Sequence, residues 1–272
     1  MAAPNQITVP QLLRQIGRPQ APVLVDICLA EDFRADPYLV PGALRHDHDD
    51  PDGLIDYLDG RACVVICQKG LKLSQGLVAW LRGDGIDARY LQGGMYGWRD
   101  HPETARIPAA TLPPPMAGGG TLWVTRHRPR VDRIACPWLI RRFVDRRARF
   151  LFVSPGAVAG VAERFGATPF GTGDGVWSHR GDGCTFDTML DMFGLRIPAL
   201  DRLSLIVRAA GTDRHDLAPQ AAGLLALSVG QSRLYRDDHQ QLQAGMGLYD
   251  ALYLWARDGF DEGHDHAVGA TA

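Results

Sequence analysis

The sequence predicts an α/β unit built on a parallel sheet flanked by helices, followed by a mainly α-helical unit. Three observations predict it. First, residues 22–28 (PVLVDIC), 63–67 (CVVIC) and 88–92 (ARYLQ) are short apolar runs, the first two nearly continuous, as strands covered on both sheet faces must be. Second, Leu73, Leu77 and Leu81 stand at i, i+4 spacing between the last two runs, and Gly83 and Gly85 end the pattern. A strand, a helix and a strand in that length make a right-handed crossover in a parallel sheet. Third, residues 107–121 (IPAATLPPPMAGGGT) place three prolines and then three glycines where no helix or central strand continues. The expected organisation is therefore an α/β unit over 1–106, a Pro/Gly linker over 107–121, a helical unit over 122–258 and a flexible tail over 259–272.

In the second unit, Ile134, Trp138 and Leu139 recur at helical spacing, which requires Pro137 to fall in a first turn. Residues 200–210, 219–229 and 238–257 are also helically periodic, the last with Leu242, Met246, Tyr249, Leu252, Tyr253 and Ala256 on one stripe. The expected core is Trp138, Leu139, Leu224, Leu225, Tyr249, Leu252 and Trp255. Residues 150–153 read as a short strand, and 171–183, rich in glycine, as an irregular loop.

Of the 272 residues, 46% are hydrophobic and 22% charged, which excludes wholesale disorder and rod-like assemblies. No apolar run approaches the ~20 residues of a membrane span, so no membrane partner is expected. The N-terminus lacks a basic stretch followed by an apolar one. Five cysteines without regular spacing point to a reducing compartment, and the expected location is cytoplasmic. The net charge of −2 conceals a basic segment, residues 126–149, with nine arginines against Asp132 and Asp145. Such a segment attracts anions, nucleic acid or an acidic partner.

The chemistry concentrates where the 63–67 strand ends. Cys67 is followed by Gln68, Lys69, Gly70, Leu71 and Lys72, and then by a helix. A cysteine there has its thiolate favoured by the helix dipole, by free backbone N–H groups and by the two lysines. Gly70 permits the tight curl that turns successive N–H groups toward one point. An isolated cysteine at a strand end is ordinarily inert core, as Cys63 is expected to be. The lysines and the glycine set Cys67 apart as a candidate nucleophile partly exposed at its strand end, with residues 68–72 as its substrate-binding loop.

On these residues the first unit resembles a rhodanese-homology domain. The resemblance runs through Leu24-Val25-Asp26, Val40-Pro41-Gly42-Ala43, the Cys67–Lys72 loop, Gly83-Asp84-Gly85 and Leu91-Gln92-Gly93-Gly94-Met95-Tyr96-Gly97-Trp98. It implies sulfane-sulfur transfer from a thiosulfate-like donor to a thiol acceptor through a Cys67 persulfide. The sequence departs from the family twice. Cys28 stands where the family carries arginine, and Lys72-Leu73 where it carries arginine and serine. Lysine keeps the charge but not the bidentate fork, so weak thiosulfate activity is implied. In that fold the strands ending at Cys28 and Cys67 are neighbours, which makes Cys28 a candidate redox partner if the register aligns the two thiols.

The second unit resembles the C-terminal domain of ChrB-type chromate-resistance proteins. The matching stretches are Trp123-Val124-Thr125-Arg126, residues 131–142 (VDRIACPWLIRR), Ser178-His179-Arg180 with Cys184 and Phe186, and residues 216–224 (DLAPQAAGL). The family implies a response to chromate or another oxyanion. Arg126, Arg130 and Arg133 are candidate ligands of a tetrahedral dianion, the ordinary alternative being a solvated basic face. His179, Cys184 and Asp187 are too loosely spaced to read as a metal site, and no metal or cofactor is expected. Asp213, His215 and Asp216 fit a helix cap as well as a site, and His264 and His266 lie in the tail. The leading reading is a sulfurtransferase coupled to an oxyanion-response domain. The alternatives are a chromate-responsive DNA-binding regulator using Cys67 only as a sensor, and an inactive rhodanese-like docking module.

Overall fold

The computed structural model describes residues 5–173 and 175–262; His264 and His266, with most of the tail, lie outside them. The chain opens with β1 (Gln6–Ile7) and α1 (Val9–Leu13), started by a Thr8 capping box. It continues through β2 (Val23–Asp26), α2 (Ala30–Ala35), β3 (Tyr38–Leu39), β4 (Ala43–Arg45) and α3 (Pro51–Leu58). Next come β5 (Cys63–Ile66), α4 (Lys72–Gly83), β6 (Ala88–Leu91) and α5 (Gly94–Arg99). The five-stranded sheet has the order β1-β6-β5-β2-β4, all pairs parallel. Every residue of β2 and β5 is buried, the physical reason their runs are unbroken by polar residues. One sheet face packs on α3 and α4 through Val25, Val65, Leu77, Val78 and Leu81.

The opposite face joins the second unit. Leu24, Val64, Ile66 and Trp98 belong to one continuous apolar cluster with Trp138, Phe143 and Tyr253. The turn after α1 makes the closest fit: a Cβ on Gly17, at φ +80°, would stand 2.5 Å from the Phe143 ring and 2.7 Å from Tyr253. Arg146 Nη1 donates to the Ala21 and Pro22 carbonyls at 2.6 and 3.1 Å. The Pro/Gly segment is tied down as well. Its β7 (Ile107–Pro108) pairs antiparallel with β3, Met116 N–H donates to Gly120 O at 2.7 Å, and Arg147 holds the Gly118 carbonyl at 2.6 Å.

The second unit is helix-rich around a small sheet. It contains β8 (Leu122–Arg126), α6 (Asp132–Leu139), a π-helical turn (Ile140–Val144), β9 (Arg149–Val153), α7 (Val158–Phe165) and β10 (Thr168–Pro169). Then follow α8 (Thr185–Met192), α9 (Pro198–Gly211), α10 (Ala221–Leu234) and α11 (Asp238–Asp258). The order β10-β8-β9, parallel throughout, is a feature the periodicity reading lacked beyond the strand at 150–153. Pro137 corrects another expectation: it lies in the second turn of α6, not the first. The helix continues past it into the π turn, where Asp145 N–H reaches Ile140 O at 2.7 Å. His215 and Asp216 lie in a short 3₁₀ turn (His215–Leu217), and neither they nor Asp213 cap α10, whose N-cap is Gln220. Trp138, Leu139, Leu224 and Tyr249 are buried, and Leu225, Leu252 and Trp255 pack partly buried against them.

Candidate functional site

Cys67 sits one residue past β5, at the carboxyl edge of the sheet, where parallel sheets place their ligands. Glycines of two loops, the one that follows Cys67 and the one after β6, shape this edge. Gly70 has φ +68°, and a Cβ on it would strike Leu91 O, Gly94 N and Gly93 N. Gly94, at φ +57°, comes equally close to Cys67 O and Gly70 N. The two loops are thus in backbone-to-backbone contact, locked by Met95 N–H to Cys67 O at 3.0 Å and Tyr96 N–H to Gln68 O at 3.1 Å. Only glycine fits that approach. The first residues of α4 have no side-chain cap, and the N–H groups of residues 68–74 donate to no protein acceptor among the described residues. An open row of donors at a helix N-terminus is an anion cradle.

The Cys67 thiol itself is not partly exposed, as its place in the sequence predicts, but buried at 4%. It turns under α4 and donates to Ser74 Oγ at 3.2 Å, while Ser74 donates to Leu71 O. Ser74 is the functional candidate that sequence reasoning missed. Its signal was position, since the third helical residue of α4 faces back over the strand end. Of the predicted binding residues, Gln68 is half-buried, Gly70 is buried, and Lys69, Leu71 and Lys72 are exposed along the loop.

The register corrects the expectation for Cys28. Asp26 pairs with Ile66, so Ile27 and not Cys28 stands level with Cys67, and Ile27 N–H bonds Ile66 O at 2.8 Å. Alternation then sends Cys28 to the opposite face, into the cluster shared with the second unit, while Cys67 lies in the cluster under α4. Both thiols are free. Burial, with Asp26 beside it, pushes the Cys28 thiol pKa far up, so Cys28 stays a neutral thiol. The guanidinium missing at position 28 arrives from the next strand: Arg45 donates to Cys28 O at 2.8 Å and to Asp26 Oδ1 at 3.3 Å. Asp26 remains buried with Oδ2 unpartnered among the described residues, and burial raises its pKa.

A second edge carries the other predicted residues. β8 ends at Arg126, and the loop to α6 holds two non-glycine residues at positive φ, Arg128 (55°) and Val131 (42°). Side chains of α11 hold this conformation: Asp238 accepts from Arg128 N–H at 3.1 Å, Gln241 donates to Pro129 O at 2.6 Å and Tyr249 to Val131 O at 2.8 Å. Arg126 and Arg133 meet at Gly171: Arg126 reaches its carbonyl at 3.4 Å, and the Arg133 stem lies beside the position of its missing Cβ. Burial and the neighbouring Arg126 and Arg130 charges depress the Arg133 pKa, apart from a raising effect of Asp132. Arg130 and Arg133 side chains make no hydrogen bond or ion pair among the described residues.

His179 Nε2 lies 3.1 Å from Asp132 Oδ2 beside this edge, and that bond raises the imidazole pKa. Cys184 does not join it; Cys184 starts α8, its N–H bonded to Asp187 at 2.9 Å. Most of the basic segment is spent on internal contacts. Arg128, Arg141, Arg142, Arg146 and Arg147 all bond groups within the molecule, Arg142 pairing with Asp250 at 2.8 Å. No helix among the described residues is long and apolar enough to cross a membrane.

Residues 123–256 match the family described as ChrB, C-terminal domain. Protein ChrB of Cupriavidus metallidurans is 35% identical over 136 residues, 49% of this chain and 40% of that protein, so the chain spans two fifths of the curated relative it matches. Among solved structures, a rhodanese-like domain protein from Staphylococcus aureus is similar to the N-terminal part, with 26% identity, 36% of this chain and 94% of that chain covered, and a TM-score of 0.32. A Staphylococcus saprophyticus protein gives 25% identity, 34% and 89% coverage and a TM-score of 0.30. Residues 123–256 are thus similar to the ChrB C-terminal domain, and the N-terminal parallel-sheet unit has a rhodanese-like domain protein among its structural neighbours.

Proposed function

We propose that the N-terminal unit is a rhodanese-type sulfurtransferase working through a persulfide on Cys67, and that the ChrB domain couples it to an oxyanion response. The observation that carries the reading is the open row of N–H donors over residues 68–74, laid directly above a cysteine at the carboxyl edge of the sheet. Loss of the proton from Sγ leaves Ser74 free to turn its hydroxyl toward the thiolate. The thiolate attacks the outer sulfur of thiosulfate, a new S–S bond forms, and sulfite leaves with the electron pair of the broken bond. An acceptor thiolate then takes the terminal sulfur and Cys67 leaves as thiolate. No cofactor enters either step.

The same donor row and the exposed Lys69 and Lys72 favour an anionic donor. In the ChrB domain, Arg126, Arg130 and Arg133 are the cationic face for chromate or another oxyanion, supported by the meeting of Arg126 and Arg133 at Gly171 and by the lack of side-chain partners on Arg130 and Arg133 among the described residues. The commitment of six of the nine segment arginines to internal bonds weighs against DNA as the partner. The chemistry suits a reducing, cytoplasmic setting. Steady-state sulfur transfer from thiosulfate to cyanide or a small thiol tests the reading. The wild-type chain is expected to turn over and Cys67→Ser to be inactive with its fold unchanged; equal activity in the two removes Cys67 as the nucleophile.

A further inference from the structure

Beside His179 the ChrB domain opens a crevice of ≈ 480 Å³, lined by His179, Gly181, Asp182, Arg208, Thr212 and Arg214. Arg208, in the last turn of α9, is the unusual group. Its side chain is only 31% exposed, yet its guanidinium donates no hydrogen bond among the described residues, and its Nε is fully buried without a partner. The nearest carboxylate oxygen, Asp187 Oδ2, is 3.9 Å away, beyond hydrogen-bond range. The two form a long ion pair without a hydrogen bond, and Asp187 is held where it is by other donors: Oδ1 accepts from Ser204 at 2.6 Å and Oδ2 from Cys184 N–H at 2.9 Å. Arg208 Nε is thus a buried donor without a hydrogen-bond acceptor, which is uncommon and calls for a partner. The crevice supplies room for it, and a guanidinium fork matches the oxygens of a tetrahedral anion.

His179 adds a second donor of adjustable charge. It is half exposed, its Nε2 is held by Asp132, and its other ring nitrogen makes no hydrogen bond among the described residues. The charged groups that face it are Asp132 on α6, Arg126 at the end of β8 and Asp187 on α8. Within the crevice, Arg214 is paired with Asp216 at 3.1 Å, and Asp182 opposes an anion from the rim.

We propose that this crevice is a binding site for a small tetrahedral oxyanion of the sulfate, chromate or phosphate class, held by Arg208 and by protonated His179. It rests on the oxyanion-response reading of the ChrB domain and is independent of sulfur transfer at Cys67. It names a place for the anion different from the Arg126, Arg130 and Arg133 face. Affinity falls as pH rises, because deprotonating His179 removes one of the two positive donors while Arg208 keeps its charge.

Calorimetric titration of the full chain with sodium sulfate, a dianion throughout, at about pH 6 and about pH 8.5 tests this directly, since an imidazole loses its proton as pH rises across that window. Binding is expected at the lower pH and weakened at the higher. Arg208→Gln is expected to lose about tenfold or more, the worth of a charge-assisted hydrogen bond. His179→Gln is expected to abolish the pH dependence, and Asp182→Asn to tighten binding. His179 and Asp182 lie on the loop surface, so these two variants report even if Arg208→Gln fails to fold. Unchanged affinity in Arg208→Gln, pH dependence surviving in His179→Gln, or no sulfate binding by the wild type at either pH overturns the proposal. Loss of binding in an Arg126→Gln/Arg130→Gln/Arg133→Gln variant, with Arg208→Gln unaffected, moves the anion to the arginine face and leaves the oxyanion-response reading standing.

Discussion

The loop after β5 and the loop after β8 occupy the same place in their respective sheets, between the carboxyl end of a central parallel strand and the start of a helix, and they are built on opposite principles. The first reaches its left-handed turn with glycine, at Gly70, and is gripped by the backbone of a second glycine loop. Its donors stay open. The second forces Arg128 and Val131 to positive φ and depends on Asp238, Gln241 and Tyr249 of α11 to hold them there. A positive φ at a β-branched residue is disfavoured and persists only where the surroundings over-determine it. A loop made of glycine is shaped locally, and a loop made of strained residues is shaped by the rest of the domain.

The comparison breaks most visibly at Gly94. Gly94→Ala drives a methyl group into Cys67 O and Gly70 N, and neither is a side chain that can swing away. Urea unfolding is expected to show a loss on the order of 3 kcal/mol together with loss of sulfur transfer, while oxyanion binding at the ChrB domain survives in the folded fraction. At the second loop, Tyr249→Phe deletes the buried hydroxyl that bonds Val131 O at 2.8 Å, and a loss of about 1–2 kcal/mol is expected in the same measurement. Sulfur transfer should remain. If Tyr249→Phe costs nothing, α11 does not hold the strained loop.

That contrast also explains what was legible beforehand. The strands at 63–67 and 88–92 and the helix between them were readable because both faces of β5 are buried and α4 is amphipathic. Gly70 was readable as a turn, and Cys67 as the residue at its mouth. The burial of Cys67 was not, since it depends on the distance between Ser74 Oγ and Sγ, which only the packing of α4 sets. In the second unit the run at 150–153 was readable as a strand, but β8 is five residues long and ends in Arg126, and β10 is two residues long, so neither carries a clear period. Arg128 and Val131 carry no local signal of a left-handed conformation, because nothing local favours it. The near miss at Cys28 has a simple cause. Neighbouring strands were foreseen, but a one-residue offset in register decides which face a side chain takes.

Smaller effects sharpen the first edge. Asp26 is buried with one oxygen unpartnered, and its pKa is raised chiefly by desolvation, against the lowering effects of the Cys28 N–H and Arg45. The native state therefore holds this proton to higher pH than the unfolded chain does. Stability is expected to fall as pH rises from the ordinary carboxylate range through the raised native value, and Asp26→Asn should flatten that slope. A pH–stability curve identical in the variant contradicts the assignment. The smallest expected effect is none: mild peroxide should form no Cys28–Cys67 disulfide, with no crosslinked peptide in a non-reducing digest, because the two thiols lie on opposite faces of the sheet.

On the proposed function, the glycine-built loop is a cradle for sulfur on Cys67. Mass spectrometry of the intact chain incubated with thiosulfate and then digested without reductant addresses it most directly. A gain of about 32 Da, one sulfane sulfur, is expected on the peptide carrying Cys67 in the wild type, and none in Cys67→Ser. An unmodified Cys67 peptide, or the same gain appearing instead on a peptide carrying Cys28, Cys136 or Cys184, would contradict it.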